Sequence, residues 1–271
     1  YASGTPQSVL DEVVVIPFNK PVESERILRA HARNLACVLI DLMPNRGGLI
    51  PATPEFVAML KRVRDDTGML IVLDEVITMR LDYQGAQALY DLRADLTALG
   101  KIIGGGFPVG AVAGSAEVMA VFDPRQTKTP LPHSGTFNAN PVTMVAGVTA
   151  MRLLTRDEII RLGALGDRAR DGVAAAMRAA GMPGQVTGMG SLFRIHVHDR
   201  PLSDYRSMLM TAAEKDVLGA IVEYMRDHGV FVNERGVCSL STPMGEAEID
   251  AFLDCFRDAL AFVGGQTQAA D

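Results

Sequence analysis

The chain has 271 residues, 48% of them apolar and 21% charged, enough for a large hydrophobic core or for a domain and a half of an ordinary globular protein. Its net charge of −6, with acids and bases interspersed, gives no basic footprint for nucleic acid and no basic helix for a membrane surface, so neither is an expected partner. No apolar span approaches the length of a membrane helix, no signal peptide is recognisable, and Cys37, Cys238 and Cys255 stand far apart without a C-x-x-C. The expectation is a cytoplasmic protein whose cysteines are small buried residues in a reducing compartment.

The opening Tyr1-Ala-Ser-Gly-Thr-Pro6 is polar and turn-rich and reads as the middle of a loop. Glu12-Val-Val-Val-Ile-Pro17, β-branched and closed by proline, predicts an edge strand. Residues 22–34 carry Ile27 and Leu28 among charges and predict a surface helix. Ala36-Cys-Val-Leu-Ile-Asp-Leu-Met43 is a buried strand ending in an acid, followed by the loop Pro44-Asn-Arg-Gly-Gly48. Thr53 caps a helix with Pro54 at its first position, Phe56, Val57, Leu60 and Val63 keep helical spacing, and Gly68 ends it. Met69-Leu-Ile-Val-Leu-Asp-Glu-Val76 is a second buried strand, so the unit is a βαβ crossover with parallel strands.

Asp74 thus falls where open α/β sheets bind ligands, at the carboxyl end of a strand. Lys101 stands downstream in Leu99-Gly-Lys-Ile-Ile-Gly-Gly-Gly-Phe-Pro-Val-Gly110, where its ammonium could be held near that carboxylate. Such a pair serves equally as an ordinary ion pair or as a catalytic one. The glycines at 104, 105 and 106 allow close approach of a planar ligand or another subunit. Pyridoxal phosphate would suit these groups, because its aldehyde takes a lysine Schiff base and its ring nitrogen needs an anionic partner. An ATPase strand is excluded, since Gly100-Lys101 is followed by Ile102 and Asp95 occupies the first glycine position of a P-loop. A dinucleotide fingerprint fails because Val109 occupies its third glycine position.

Gly110-Ala-Val-Ala-Gly114 is a strand of small residues, Met119 to Phe122 belong to a following helix, and Asp123 to Pro132 form a polar loop. Ser134-Gly-Thr-Phe-Asn-Ala-Asn-Pro141 precedes a helix over 142–154, so Gly135 and Thr136 serve either as simple capping groups or as a phosphate site. Thr155-Arg-Asp-Glu158 is a capping box opening a helix to Ala180, with Gly181 as terminator. The domain boundary falls here, giving a large domain over 1–152 and a small α+β domain over 153–271. The small domain holds an alternating strand at 191–198, a helix over 212–228, strands at 230–232 and 237–241, a helix over 246–262 and a frayed tail from Gly264 to Asp271. His196 and His198 share a strand face without a third ligand at metal-site spacing, and the methionines read as core filler. Arg235 lies in a turn, where an arginine is usually only solvated.

Three segments, taken in order, carry a resemblance: Asp74-Glu-Val76, Leu99 to Ala111 with Lys101, and Ser134 to Pro141, extending to Leu240-Ser-Thr242. Together they resemble the class III aminotransferases of pyridoxal-phosphate fold type I, an α/β fold with a mainly parallel large-domain sheet and a small C-terminal α+β domain. The nearest branch holds glutamate-1-semialdehyde aminomutases and β-phenylalanine aminotransferases. The resemblance implies that Lys101 carries pyridoxal 5'-phosphate, Asp74 holds its ring nitrogen, Val76 packs on its face, and Gly135 with Thr136 binds its phosphate from the neighbouring subunit of a homodimer. A matching Arg-Gly in the β-phenylalanine enzymes implies that Arg235 grips a substrate carboxylate.

Two departures are informative. The family's Glu-Pro after the first buried strand is Asp41-Leu-Met-Pro44 here, so Asp41 is as well read as a structural carboxylate. Thr78-Met79-Arg80 replaces the aminomutases' Gly-Phe-Arg, which favours the β-amino-acid branch. The implied reaction moves an amino group between an amino acid and a keto acid; a 2,1-aminomutase and a non-catalytic scaffold are the alternatives. Relatives also carry an N-terminal portion supplying a glycine-rich phosphate loop and a stacking aromatic, so the expectation is a fragment or processed chain of a longer protein.

Overall fold

The structure, a computed structural model, describes residues 3–125 and 127–270, with side chains to residue 265. Its elements run α1 (Gln7–Asp11), α2 (Pro21–His31), β1 (Cys37–Ile40), α3 (Pro54–Thr67), β2 (Leu70–Asp74), α4 (Ala86–Leu89), β3 (Leu96–Gly100), β4 (Gly110–Gly114), α5 (Ala116–Met119) and α6 (Pro141–Leu153). There follow α7 (Arg156–Ala179), β5 (Gln185–Met189), β6 (Leu192–His196), α8 (Ala212–Asp227), β7 (Val237–Ser239) and α9 (Glu246–Ala270).

The first sheet has the order β1-β2-β3-β4, with β1, β2 and β3 parallel and β4 antiparallel at the edge. The βαβ unit forms as its sequence dictates. The Thr53 hydroxyl accepts from the Phe56 N–H at 3.2 Å, Pro54 opens α3, and Gly68 closes it at a φ of 74°. Helix α3 buries Phe56, Met59, Leu60 and Val63 in one core with Val38, Ile40, Ile71 and Leu73 of the sheet. Each such side chain contributes roughly 1.5–3 kcal/mol relative to exposure.

The second sheet, β5-β6-β7, is antiparallel. Helices α7, α8 and α9 cover one of its faces and share a second core with Phe193, Ile195 and Val197. Strand β6 alternates, so Leu192, Arg194 and His196 turn the other way, and Leu192 joins the first core. The two layers are clasped there by Arg80, whose Nε donates to Ser191 Oγ at 2.9 Å and whose second terminal nitrogen donates to the Leu240 carbonyl.

Several expectations are corrected. Residues 12–17 form no strand, and Val13 and Val15 are exposed, because a β-branched run without a neighbouring edge has no ladder to join. Residues 230–232 likewise pair with nothing in the second sheet. Helix α9 continues to Ala270 instead of fraying at Gly264. The capping box at Thr155 is half made, since Glu158 reaches Arg161 rather than the cap N–H, whereas Thr211 and Glu214 make both bonds at α8. Cys37 is exposed, while Cys238 and Cys255 are partly buried. Tyr1, Ala2, Gln126 and Asp271, within the predicted opening loop, polar loop and tail, lie outside the described residues.

Candidate active site

Strands β2 and β3 deliver the two groups singled out by the sequence to the same edge. Asp74 ends β2, pairs in register with Ala98 of β3, and Lys101 follows β3 directly. Asp74 Oδ1 accepts from the Val76 N–H at 3.0 Å, a tight turn that fixes the carboxylate. Val76 in turn lies against Gly100, where a Cβ would sit 3.5 Å from Val76 Cγ1. Lys101 is exposed and holds a φ of 51°, a left-handed conformation that costs a non-glycine residue about 1–3 kcal/mol. Among the described residues neither Asp74 nor Lys101 joins an ion pair, so the simple salt-bridge reading of the two is not realised. Among the described residues Lys101 has no ion-pair partner, and it follows the strand that neighbours the one Asp74 ends.

The two acids ending β2 diverge. Glu75 is 2% exposed, accepts the Gln87 N–H at 2.8 Å, and leaves no room for a side chain at Gly85, where a Cβ would lie 2.0 Å from its Oε2. Burial raises its pKa. Glu75 anchors a turn; Asp74 is the carboxylate available to a ligand. Asp41 follows β1 at the same edge and accepts the Met43 N–H at 2.9 Å. Burial, reinforced by the charges of Asp74 and Glu75 against that hydrogen bond, pushes it up to about 7.

The glycine run serves the chain itself. A Cβ at Gly105 would meet the Ala146 carbonyl oxygen at 2.3 Å, and one at Gly147 would meet that of Ile103 at 2.1 Å, so α6 packs backbone to backbone on the lysine loop. Close approach of a ligand or another subunit is not what Gly105 is needed for. Gly106, at a φ of 95°, has open space beside it.

Gly135 and Thr136 lie on an exposed loop. They do not cap α6; Asn140 does, its Oδ1 accepting from the Val142 and Thr143 N–H groups at 3.1 and 3.3 Å. Among the described residues no hydrogen bond joins Thr136 to Asp74 or Lys101. The loop and α6 border an open groove of about 1350 Å³ whose walls include Phe137, Met144 and Val148.

Arg235 occupies the turn before β7, its N–H donating to Asn233 Oδ1 at 2.9 Å and its Nε 3.7 Å from Glu234 Oε1. It lines a cleft with Asn45 and Arg46, from the loop after β1, and with Arg194 of β6. Arg194 is the residue the sequence reading missed. It is 3% exposed, and the only sign of it was an arginine within the alternating 191–198 segment. His196 next to it shares Thr187 Oγ1 at 2.9 Å and the Gly48 carbonyl at 3.3 Å, and burial, then Arg194, pushes it down to about 4, so it is neutral at pH 7. Among the described residues no three metal-ligating groups converge, and no helix is long and apolar enough to cross a membrane.

An α/β layer delivering an aspartate and an unpaired lysine from adjacent parallel strands, with a smaller α+β layer packed over it, is the architecture of pyridoxal-phosphate fold type I. The solved structure of an omega-transaminase from Sphaerobacter thermophilus superposes with a TM-score of 0.94 at 52% identity, over 97% of this chain and 60% of that one. The sequence profile of Aminotransferase class-III matches residues 15–260, and the chain belongs to that family, whose members use pyridoxal phosphate. It is 35% identical to the β-phenylalanine transaminase of Variovorax paradoxus over 97% of the chain and 59% of that protein. It is 31% identical to the glutamate-1-semialdehyde 2,1-aminomutase of Aeropyrum pernix over 97% of the chain and 61% of that protein. The chain therefore spans about three fifths of the length of the curated relatives it matches.

Proposed function

We propose that the protein is a pyridoxal-phosphate-dependent aminotransferase that moves an amino group between a β-amino acid and a keto acid. The observation that carries this reading is the unpaired, left-handed Lys101 at the strand end adjoining Asp74. The donor set fits the cofactor: an amine for its aldehyde, a carboxylate for its ring nitrogen, a small branched side chain at Val76 for its face, and the hydroxyl and N–H groups of Thr136 and Gly135 for its phosphate. When bound, the cofactor supplies a cationic ring that accepts electrons from the substrate carbon.

The chain's own residues do the rest. Asp74, fixed by the Val76 N–H, keeps negative charge where a ring nitrogen must stay protonated. Lys101 Nζ would hold the cofactor through its aldehyde and, when free, would serve as the base that moves a proton at the substrate carbon. Arg235 orients the substrate through its carboxylate.

Three further elements belong to the same reading. Gly135 and Thr136 act on the partner's cofactor in a homodimer. Support comes from their exposure and from Phe137, Val142, Val145 and Val148, exposed by 82, 59, 69 and 49% on one side of α6 and its approach loop. The boundary between the large and small domains falls at 152/153; support comes from the two cores, one built from buried residues before it apart from Leu192 and the other from buried residues after it. The location is cytoplasmic.

The test is a single-turnover spectrum of the cofactor-loaded protein with β-phenylalanine, then with a keto acid. Conversion to the amine form of the cofactor by the first and recovery by the second is expected. Conversion of glutamate-1-semialdehyde without any external keto acid would replace the proposal with an aminomutase.

A further inference from the structure

Arg80 gives a guanidinium to two neutral acceptors. It is half-buried, burial pushes its pKa down, and among the described residues no carboxylate forms an ion pair with it. Its Nε donates to Ser191 Oγ at 2.9 Å and its second terminal nitrogen to the Leu240 carbonyl. Those two residues are themselves joined, the Leu240 N–H donating to the Ser191 carbonyl at 2.9 Å, and Ser191 is 3% exposed. Partial burial of an unpaired cation costs stability that an apolar side chain of similar volume would not lose. What an apolar side chain lacks is the fork, whose N–H groups reach both strands of the second sheet at once.

The base of the fork is tied to the Asp74 turn. Residues 78–81 form a single tight turn in which Thr78 Oγ1 donates to the Asp74 carbonyl at 3.4 Å and the Met79 N–H to the Glu75 carbonyl at 3.2 Å. Thr78 is fully buried, and Leu81, beside Arg80, packs in the first core with Leu192. At the other end, Leu240 directly follows β7, whose opposite end is the turn holding Arg235. Strand β7 pairs along its length with β6, Val237 against Arg194 and Ser239 against Leu192, so it moves as one piece. Among the described residues Arg80 is the only side chain that hydrogen-bonds the segment after β2 to β7 or its ends.

A substrate that meets Lys101 through its amine and Arg235 through its carboxylate spans these two ends. In a β-amino acid the carboxylate stands one carbon–carbon bond, about 1.5 Å, further from the amine-bearing carbon than in an α-amino acid. A misplacement of about 1 Å can cost on the order of a hundredfold in rate. Telling the two apart therefore requires the span from Asp74 to Arg235 to be fixed more closely than one bond length. We propose that Arg80 is the positioning residue that fixes it, selecting the distance at which a substrate carboxylate is accepted. The proposal rests on the aminotransferase reading, with Arg235 as the carboxylate's partner, and names what sets substrate length within it.

The experiment compares wild type, Arg80→Met, Arg80→Lys, Arg235→Met and the double variant of Arg80→Met with Arg235→Met, all loaded with cofactor. Steady-state kinetics use β-phenylalanine, α-phenylalanine and 1-phenylethylamine, which lacks the carboxylate; calorimetry uses 3-phenylpropanoate, which lacks the amine. Arg80→Met is expected to raise KM for β-phenylalanine at least tenfold with kcat within threefold and to cut the preference for β- over α-phenylalanine at least tenfold. It should leave 1-phenylethylamine within twofold and weaken 3-phenylpropanoate at least tenfold. Arg80→Lys, which keeps one donor for the Leu240 carbonyl, should fall between. With Arg235→Met already present, Arg80→Met should cost less than a further twofold. Where Arg80→Met melts far below wild type, Arg80→Lys carries the same comparisons. Equal losses on β-phenylalanine and 1-phenylethylamine would overturn the proposal, as would unchanged selectivity, full additivity of the two substitutions, or a wild type that does not bind 3-phenylpropanoate. A wild type that binds 3-phenylpropanoate yet turns over none of the amines ends the aminotransferase reading by itself. The binding arm then decides the role of Arg80, weaker binding by Arg80→Met supporting it and equal binding overturning it.

Discussion

Two clusters of charge of opposite sign stand on the carboxyl side of one sheet. At the ends of β1 and β2, Asp41, Asp74 and Glu75 crowd three carboxyl groups together, and near the loop after β1 four cations, Arg46, Arg194, Lys215 and Arg235, line a cleft with one acid. Neither cluster is neutralised by the other. Among acids and bases that elsewhere pair freely, as Arg168 does with Asp250 and Arg200 with Glu214, such separation points to ligands rather than to stability. An amino acid substrate and a cationic ring cofactor together carry both complementary signs. The acidic edge suits a protonated ring nitrogen and the basic cleft suits carboxylates.

The comparison also divides the acids among themselves, and substitution tests that division. Asp74→Asn keeps an oxygen to accept the Val76 N–H but loses the charge, so stability should hold while turnover falls by about a hundredfold or more, measured as kcat with β-phenylalanine. Equal activity would move the ring-nitrogen role elsewhere. Asp41→Asn should act on stability instead. Its folded pKa of about 7 lies above the usual 3.8, so between those values the folded state binds a proton that the unfolded state does not. Stability from this group is therefore full below about pH 4 and lost as pH rises through 7, up to about 4 kcal/mol. Denaturant titration from pH 5 to 8 should show Asp41→Asn flattening that slope and gaining stability at pH 8.

What the sequence disclosed follows from how each feature is encoded. The βαβ unit was legible because a continuous apolar run ending in acid, a Thr-Pro start and a terminal glycine each have one local physical meaning. Lys101 was legible mainly through resemblance, since its left-handed backbone leaves no mark in a sequence. The strand expected at 12–17 failed because β-branched residues favour extension without supplying a partner edge. Arg194 was hidden by its own period-two segment. Alternation puts Leu192, Arg194 and His196 on one face, which reads as a polar, solvated side until a second layer covers it. Gly105 and Gly147 illustrate the same limit, because their close contact joins residues that no local pattern links.

The most direct measurement is borohydride reduction of the protein loaded with pyridoxal phosphate, followed by mass mapping of its peptides. A pyridoxyl label on Lys101 alone is predicted, absent from Lys101→Ala. A label on Lys20, Lys61, Lys128 or Lys215 in place of Lys101, or no label at all, would contradict the assignment of Lys101 as the cofactor's anchor.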